Sequence, residues 1–245
     1  MPAQIIDKGI PTAGLLVQVL VAKYSDYLPL YRQEGIFARA GLAIPRSTLG
    51  AWVAQCGVQL QPLVEALKQE LLVRRVLHAD ETPAAMPKPG NKETHRAYLW
   101  AYAPGAFEGM KAVVYDLCES RAGEHSHAFL GEWKGALVCD DFSGYKQSFT
   151  LGVTEAGCTA HSRRKFFALH ASNKCQIAAQ ALQLIIHRYD IEREVKRLTA
   201  EERLKTRQTR SRPLADALHQ WMELHRRQIT DGSATARALD YRVKR

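Results

Sequence analysis

The chain has 245 residues, 46% hydrophobic and 24% charged, which is the balance of a folded protein and excludes global disorder. Five cysteines, none in a C-x-x-C pair, exclude a tidy disulfide framework, make a zinc ribbon a poor fit and point to the cytoplasm. The formal net charge is +9, and all of the excess lies late in the chain: residues 1–156 carry 15 basic against 16 acidic side chains, residues 157–245 carry 19 against 9. Such asymmetry fits a polyanionic partner, most simply nucleic acid, and equally fits a solvated helical surface rich in arginine.

In chain order, residues 12–72 read as helical. The apolar run from Ala13 to Ala22 is broken by Gln18, is too short to span a bilayer, and is followed by no small-residue cleavage pattern, so neither a membrane span nor a signal peptide is expected. Leu15, Leu16, Val19 and Leu20 recur at helical spacing, and Tyr27, Leu30 and Tyr31 resume it around Pro29. Gly41 to Val53 reads as a turn feeding a second, short helix capped by Ser47, with Leu49, Trp52 and Val53 facing inward. That arrangement resembles a helix-turn-helix. Only Arg46 supplies a cation near the start of the second helix, which favours two small helices that simply pack.

The pattern changes at residue 73. Val73–Ala79 is a β-type run ending at Asp80, and Pro83, Pro87, Pro89 and Gly90 mark a loop. Arg96–Ala103 alternates Tyr98, Trp100 and Tyr102 against Ala97, Leu99 and Ala101, a period of two that defines a strand. Lys111–Cys118 reads as a third strand, Ala122–Trp133 as a helix, Gly135–Cys139 as a short apolar strand ending at Asp140, and Gly157–Ala160 as a further short strand. His161–His170 opens a basic helix, and from Ile177 onward the spacing is helical to the end. Residues 203–212, with Arg203, Lys205, Arg207, Arg210 and Arg212 and no acid, read as a hinge or exposed basic loop before Pro213. The expected division is a helical segment 1–72, an α/β core 73–176 and a helical basic region 177–245.

Two carboxylates, Asp80 and Asp140, leave strand ends, where α/β sheets gather ligands. If those strands are neighbours the acids converge, and their hard oxygens suit Mg²⁺ or Mn²⁺, ions that activate water at a phosphodiester. By itself an acid at a strand end more often only caps a loop. Cys158 and His161 lack a partner pair, so a buried thiol and a helix-start histidine are preferred to a metal site. His78 should share a face with Asp80, as a supporting or a merely packed residue, and Glu81 should face away. Arg163, Arg164 and Lys165 could grip phosphates near the acids or form a solvated turn. A G-x-S-x-G nucleophile motif is absent, which removes the grounds for a basic α/β hydrolase.

His78-Ala-Asp80-Glu81-Thr82-Pro83, Tyr98-Leu-Trp100, Ser120-Arg121-Ala-Gly-Glu124-His125, Phe129-Leu130-Gly131, Asp140-Asp-Phe-Ser-Gly144-Tyr145 and Cys158-Thr-Ala-His161-Ser-Arg163-Arg164-Lys165-Phe166 follow one another in this order. Together with the upstream Lys23-Tyr24, Leu28-Pro29-Leu30-Tyr31-Arg32-Gln33-Glu34 and Ser47-Thr48-Leu49 with Trp52-Val53, they resemble the IS66-family transposases over nearly the whole chain. The resemblance implies an α/β, RNase H-like mixed sheet with a helical N-terminal segment and a helical C-terminal insert. It also implies a DDE site holding two Mg²⁺ (or Mn²⁺) ions, and transposon ends and target DNA as partners; it allows a homo-oligomer. Asp80 would be the first acid and Asp140 the second. The family usually has Gly at the position of Asp141, and alternation should turn that extra acid away.

In the family the third acid lies beyond the insert, in an Asn-x-x-Glu-Arg type segment. Residues 236–245 resemble the helix before it, while Glu192, Glu194, Glu201, Glu202 and Glu223 stand in other contexts. The family also usually carries an upstream DNA-binding region with a cysteine-containing element. The chain therefore reads as a transposase core truncated at both ends and impaired in cleavage, or alternatively as a non-catalytic DNA-binding remnant.

Overall fold

Thr12 opens the first helix by accepting the Leu15 N–H at 3.3 Å, and the helical periodicity of the first third takes effect from there. The computed structural model describes residues 6, 9–87, 90 and 93–243, so Pro89 of the expected loop and the final Lys244 and Arg245 lie outside the described residues. The chain divides into two compact units, Met1–Glu70 and Leu71–Arg245.

The first unit contains α1 (Ala13–Tyr24), α2 (Leu30–Arg39) and most of α3 (Arg46–Leu72). Leu16 and Cys56 form a small core with Ile6, flanked by Leu20 and Trp52. The buried Gln33 of α2 donates to the carbonyls of Val19 and Leu28, which ties α2 to the end of α1. The second of the two helices, expected to be short whether it packs or recognises DNA, is 27 residues long. It begins at Arg46, so Ser47 lies inside it. The carboxylate of Glu34 takes the Arg46 N–H at 2.9 Å in place of a Ser47 cap.

The second unit is built on a five-stranded mixed sheet in the order β3-β2-β1-β4-β5: β1 (Val76–Pro87), β2 (Thr94–Pro104), β3 (Val114–Cys118), β4 (Ala136–Cys139) and β5 (Thr154–Gly157). β1 is antiparallel to β2 and parallel to β4; β2 and β3 are antiparallel, and β4 and β5 parallel. Several boundaries differ from the sequence expectation: β1 starts at Val76 and not Val73, β3 at Val114 and not Lys111, and the helix expected to reach Trp133 ends at Leu130. The last strand is Thr154–Gly157, ahead of the expected Gly157–Ala160. β1 runs on to Pro87, so Asp80 is inside a strand and not at its end. Past His78 this strand pairs only with β2, and an edge of that kind tolerates Pro83 and Pro87.

Alternation along β2 sends Trp100 and Tyr102 into one face with Leu77, Ala79, Leu137 and Cys139, all buried. The helix α4 (Gly123–Leu130) covers that face. Its Phe129 stacks on Tyr102 with ring centroids 3.7 Å apart. Loss of an aromatic of this kind costs roughly 3–5 kcal/mol. A 3₁₀ turn (Ser143–Tyr145) and α5 (Lys146–Thr150) connect β4 to β5.

After β5 come α6 (Thr159–Asn173), α7 (Gln176–Val195), α8 (Ala200–Thr206), α9 (Arg212–Arg227) and α10 (Ala234–Val243), none of which adds a strand. Phe166, Leu169, Ile185, Leu218, Met222 and Leu239 join α6, α7, α9 and α10 around one apolar cluster. Residues 203–212 are not a loop. They continue the helix through a π turn, Arg207–Ser211. Pro213 supplies no N–H and its ring would strike an α-helical carbonyl four residues back. Widening the helix there lets it continue through the proline. Among the described residues no helix is long and apolar enough to cross a membrane.

Candidate active site

The pairs Val76↔Ala136, Leu77↔Leu137 and His78↔Val138 set the register of the parallel strands β1 and β4. The pairing stops there: β4 ends at Cys139, so Asp140 follows directly on that strand, and Asp80 lies two residues past the last pair on β1. Alternation along β1 puts Asp80 on the face of His78. Asp80 is exposed there, and its Oδ1 accepts the Glu81 N–H at 3.1 Å. Asp140 is half-buried. Its Oδ1 accepts the Phe142 N–H at 2.9 Å, a turn that fixes the carboxylate as the chain leaves the sheet.

Asp140, Asp141, His161, Arg164, Lys165, Tyr241 and Arg121 line a cleft of about 480 Å³, together with Phe142 and Ser143. Asp141 is therefore not turned away as alternation suggested. β4 ends at Cys139, the chain bends, and both acids of the pair reach one cleft. Asp80 is not among the residues lining that cleft. Arg164 and Lys165 are exposed on the second turn of α6 because Ser162, Phe166 and Leu169 take its inward face. Lys165 sits 4.6 Å from the Tyr241 ring, whereas Arg163 leans over Phe167 on its own helix.

The later cations are spread more widely. Arg207 and Arg212 border a second cleft of about 570 Å³ with His78, Val138 and Arg188. Arg207 is also paired with Glu192, at 2.9 Å from Nε and 2.6 Å from Nη2. Arg210 is bound to Glu194 at 2.5 Å, and Arg203 lies over the Phe107 ring at 4.0 Å. Lys205 is exposed on α8. Cys158 is half-buried at the start of α6. Among the described residues no three His, Cys, Asp or Glu side chains gather as a metal cluster.

Behind the cleft lies a network that the spacing of acids did not disclose. The side chain of Glu81 is 1% exposed and faces away from Asp80, as expected from alternation. Arg121 donates to its Oε1 from Nε at 2.9 Å and from Nη2, and the Tyr145 hydroxyl donates to its Oε2 at 2.8 Å. Burial pushes the Glu81 carboxyl above its ordinary range. The hydrogen bonds from Arg121 and Tyr145 oppose that, and nearby Asp140 adds to it. Burial likewise raises Tyr145, so its phenol remains a donor. The only sequence signal for this network was that its three members occur in three separate motif blocks.

Over residues 8–245 the sequence matches the family described as Transposase IS66 family. Uncharacterized protein y4qI of Sinorhizobium fredii (strain NBRC 101917 / NGR234) is 33% identical over 256 residues, covering 100% of this chain and 48% of the relative. From the same strain, Uncharacterized protein y4jD is 32% identical over 251 residues (98% and 49%) and Uncharacterized protein y4hP is 28% identical over 265 residues (100% and 48%). The chain thus spans about half the length of the curated relatives it matches.

Proposed function

The chain belongs to the IS66 transposase family, and from that premise we propose that its second unit is an RNase H-like core of a DDE transposase, acting on DNA in the cytoplasm. One observation carries this reading most of the way: Asp140 shares a cleft with Arg164 and Lys165, at the end of a strand in register with the one bearing Asp80. The strand order, with β1 between an antiparallel β2 and a parallel β4, supports the RNase H-like assignment. In this reading Arg164 and Lys165 hold phosphates of the transposon-end or target strand. Arg212 and Arg207 extend the positive surface along the neighbouring cleft, with Arg163, Arg203, Lys205 and Arg210 on its flanks.

Asp80 and Asp140 offer hard oxygen donors on adjacent strands, a set that fits one divalent cation completed by water and does not amount to a cage for two. A bound ion would supply Lewis acidity to the phosphodiester and acidify attacking water. The protein's own part is to hold Asp140 through the Phe142 N–H, to fix the phosphate with Arg164 and Lys165, and to set the strand in line with the acids.

With two such acids the second ion would bind only weakly or with substrate phosphate present. The isolated chain should therefore bind transposon-end DNA and cut it little or not at all in Mg²⁺. Gel-based nicking assays on wild type and Asp80→Asn test this. Robust Mg²⁺-dependent nicking lost in Asp80→Asn would overturn the impaired reading, and absence of DNA binding would overturn the transposase reading itself.

A further inference from the structure

We propose that Arg121 is a phosphate-binding residue of the carboxylate cleft, held in position by the buried Glu81, and that its ligand is a phosphodiester of the DNA strand lying against Asp140. The inference rests on the transposase reading and adds to it a residue from the Ser120–His125 block, which otherwise has no part in the site.

The geometry of Arg121 is that of a guanidinium already immobilised. Nε and Nη2 are both given to Glu81, and the guanidinium lies over the Phe142 ring at 4.0 Å. Nη1 makes no hydrogen bond to protein among the described residues, yet the side chain is 42% exposed and lines the cleft with Asp140. An arginine fixed by two hydrogen bonds and a ring loses little further entropy when it meets an oxyanion, and its planar donors suit phosphate oxygens.

Glu81 points the same way. A carboxylate buried to 1% is costly to desolvate, and a well-packed apolar side chain would often serve the fold as well or better. Its lone pairs are spent on Arg121 and on Tyr145, which belongs to the same turn as Phe142. Backbone packing holds this arrangement rigid: a Cβ on Gly123, at the start of α4, would run into the Gly144 carbonyl, so the strand-end loop and the segment after Arg121 touch without side chains between them. Arg121 then stands with Arg164 and Lys165 in the cleft beside Asp140 and Asp141, so three side chains with planar or ammonium donors can meet one phosphate group.

The test measures binding of the full chain to a random-sequence DNA duplex by fluorescence anisotropy over a salt series, without metal, with far-UV circular dichroism to confirm folding. Arg121→Gln should weaken binding about tenfold, the scale of one charged hydrogen-bonded contact, and flatten the salt slope by about 0.9, the equivalent of one phosphate. Arg121→Lys should keep most of the slope and lose part of the affinity. Glu81→Gln is the sharper variant. It removes a negative charge and would tighten DNA binding on charge alone, whereas a lost tether for Arg121 weakens it. Unchanged binding in Arg121→Gln, or tighter binding in Glu81→Gln, would overturn the proposal. Arg121 is exposed enough for its variants to decide the matter if Glu81→Gln does not fold. Inorganic phosphate at matched ionic strength should displace DNA more readily from wild type than from Arg121→Gln, because both ligands would use Arg121; equal displacement from the two would overturn the shared site. If wild type binds no DNA, the transposase reading falls and this inference falls with it.

Discussion

The second turn of α6 and the run from Arg203 to Arg212 are both dense in cations, and the fold treats them differently. In α6 the inward face is filled by Ser162, Phe166 and Leu169, so Arg164 and Lys165 are left on the cleft that holds Asp140. In the later run Glu192 and Glu194 of α7 meet Arg207 and Arg210, and Phe107 takes Arg203. Five cations without an acid in the local sequence are thus partly offset by acids 15 and 16 residues upstream. Charge counted along a chain is not charge available to a ligand. Each carboxylate beside an arginine subtracts from the field that DNA meets, within a Debye length of ~10 Å.

The comparison is most exposed to a paired substitution in α6. Replacing Arg164 and Lys165 by Gln should flatten the salt dependence of DNA binding by about 1.8, the equivalent of two phosphates, with the largest loss of affinity of any surface pair in the second unit. Replacing Arg203, Arg207 and Arg210 by Gln removes three charges, yet the slope should change by only about 0.9, because Glu192 and Glu194 already offset two of them. A triple variant that outdoes the α6 double variant would reverse the ranking of the two segments. The smallest effect concerns the Arg210–Glu194 pair, which lies at the surface. The hydrogen bond from Arg210 holds Glu194 below the ordinary glutamate range. Any stability it contributes is present above the unfolded pKa and is lost as pH falls through the lowered value. Glu194→Gln should therefore melt close to wild type at neutral pH and coincide with it in acid. A large gap at neutral pH would mean the pair is structural.

What the sequence disclosed follows from how local each signal is. The alternation of Tyr98, Trp100 and Tyr102 is set by the pleat alone, and Trp100 and Tyr102 are fully buried in β2. The helical spacing after Ile177 is also local, and the chain there is helical and outside the sheet. Signals that depend on a distant partner were misjudged. Asp80 looked like a strand end because the apolar run stops there, but pairing with β2 carries the strand to Pro87. Pro213 looked like a helix stop, but a π turn absorbs it. Asp141 was assigned a direction by strand alternation, which has no force once β4 has ended. The Glu81–Arg121–Tyr145 network joins residues 40 and 64 positions apart, and no periodicity reports such a contact.

We propose that Asp80 of β1 and Asp140, directly after the parallel β4, together hold a divalent ion. Titration of the full chain with Mn²⁺, following the free ion by electron paramagnetic resonance, tests it directly. The account predicts one ion bound per chain, lost in Asp80→Asn and in Asp140→Asn and largely retained in Asp141→Asn. Binding that survives Asp80→Asn while Asp141→Asn abolishes it would contradict the account and move the site wholly into the turn after β4.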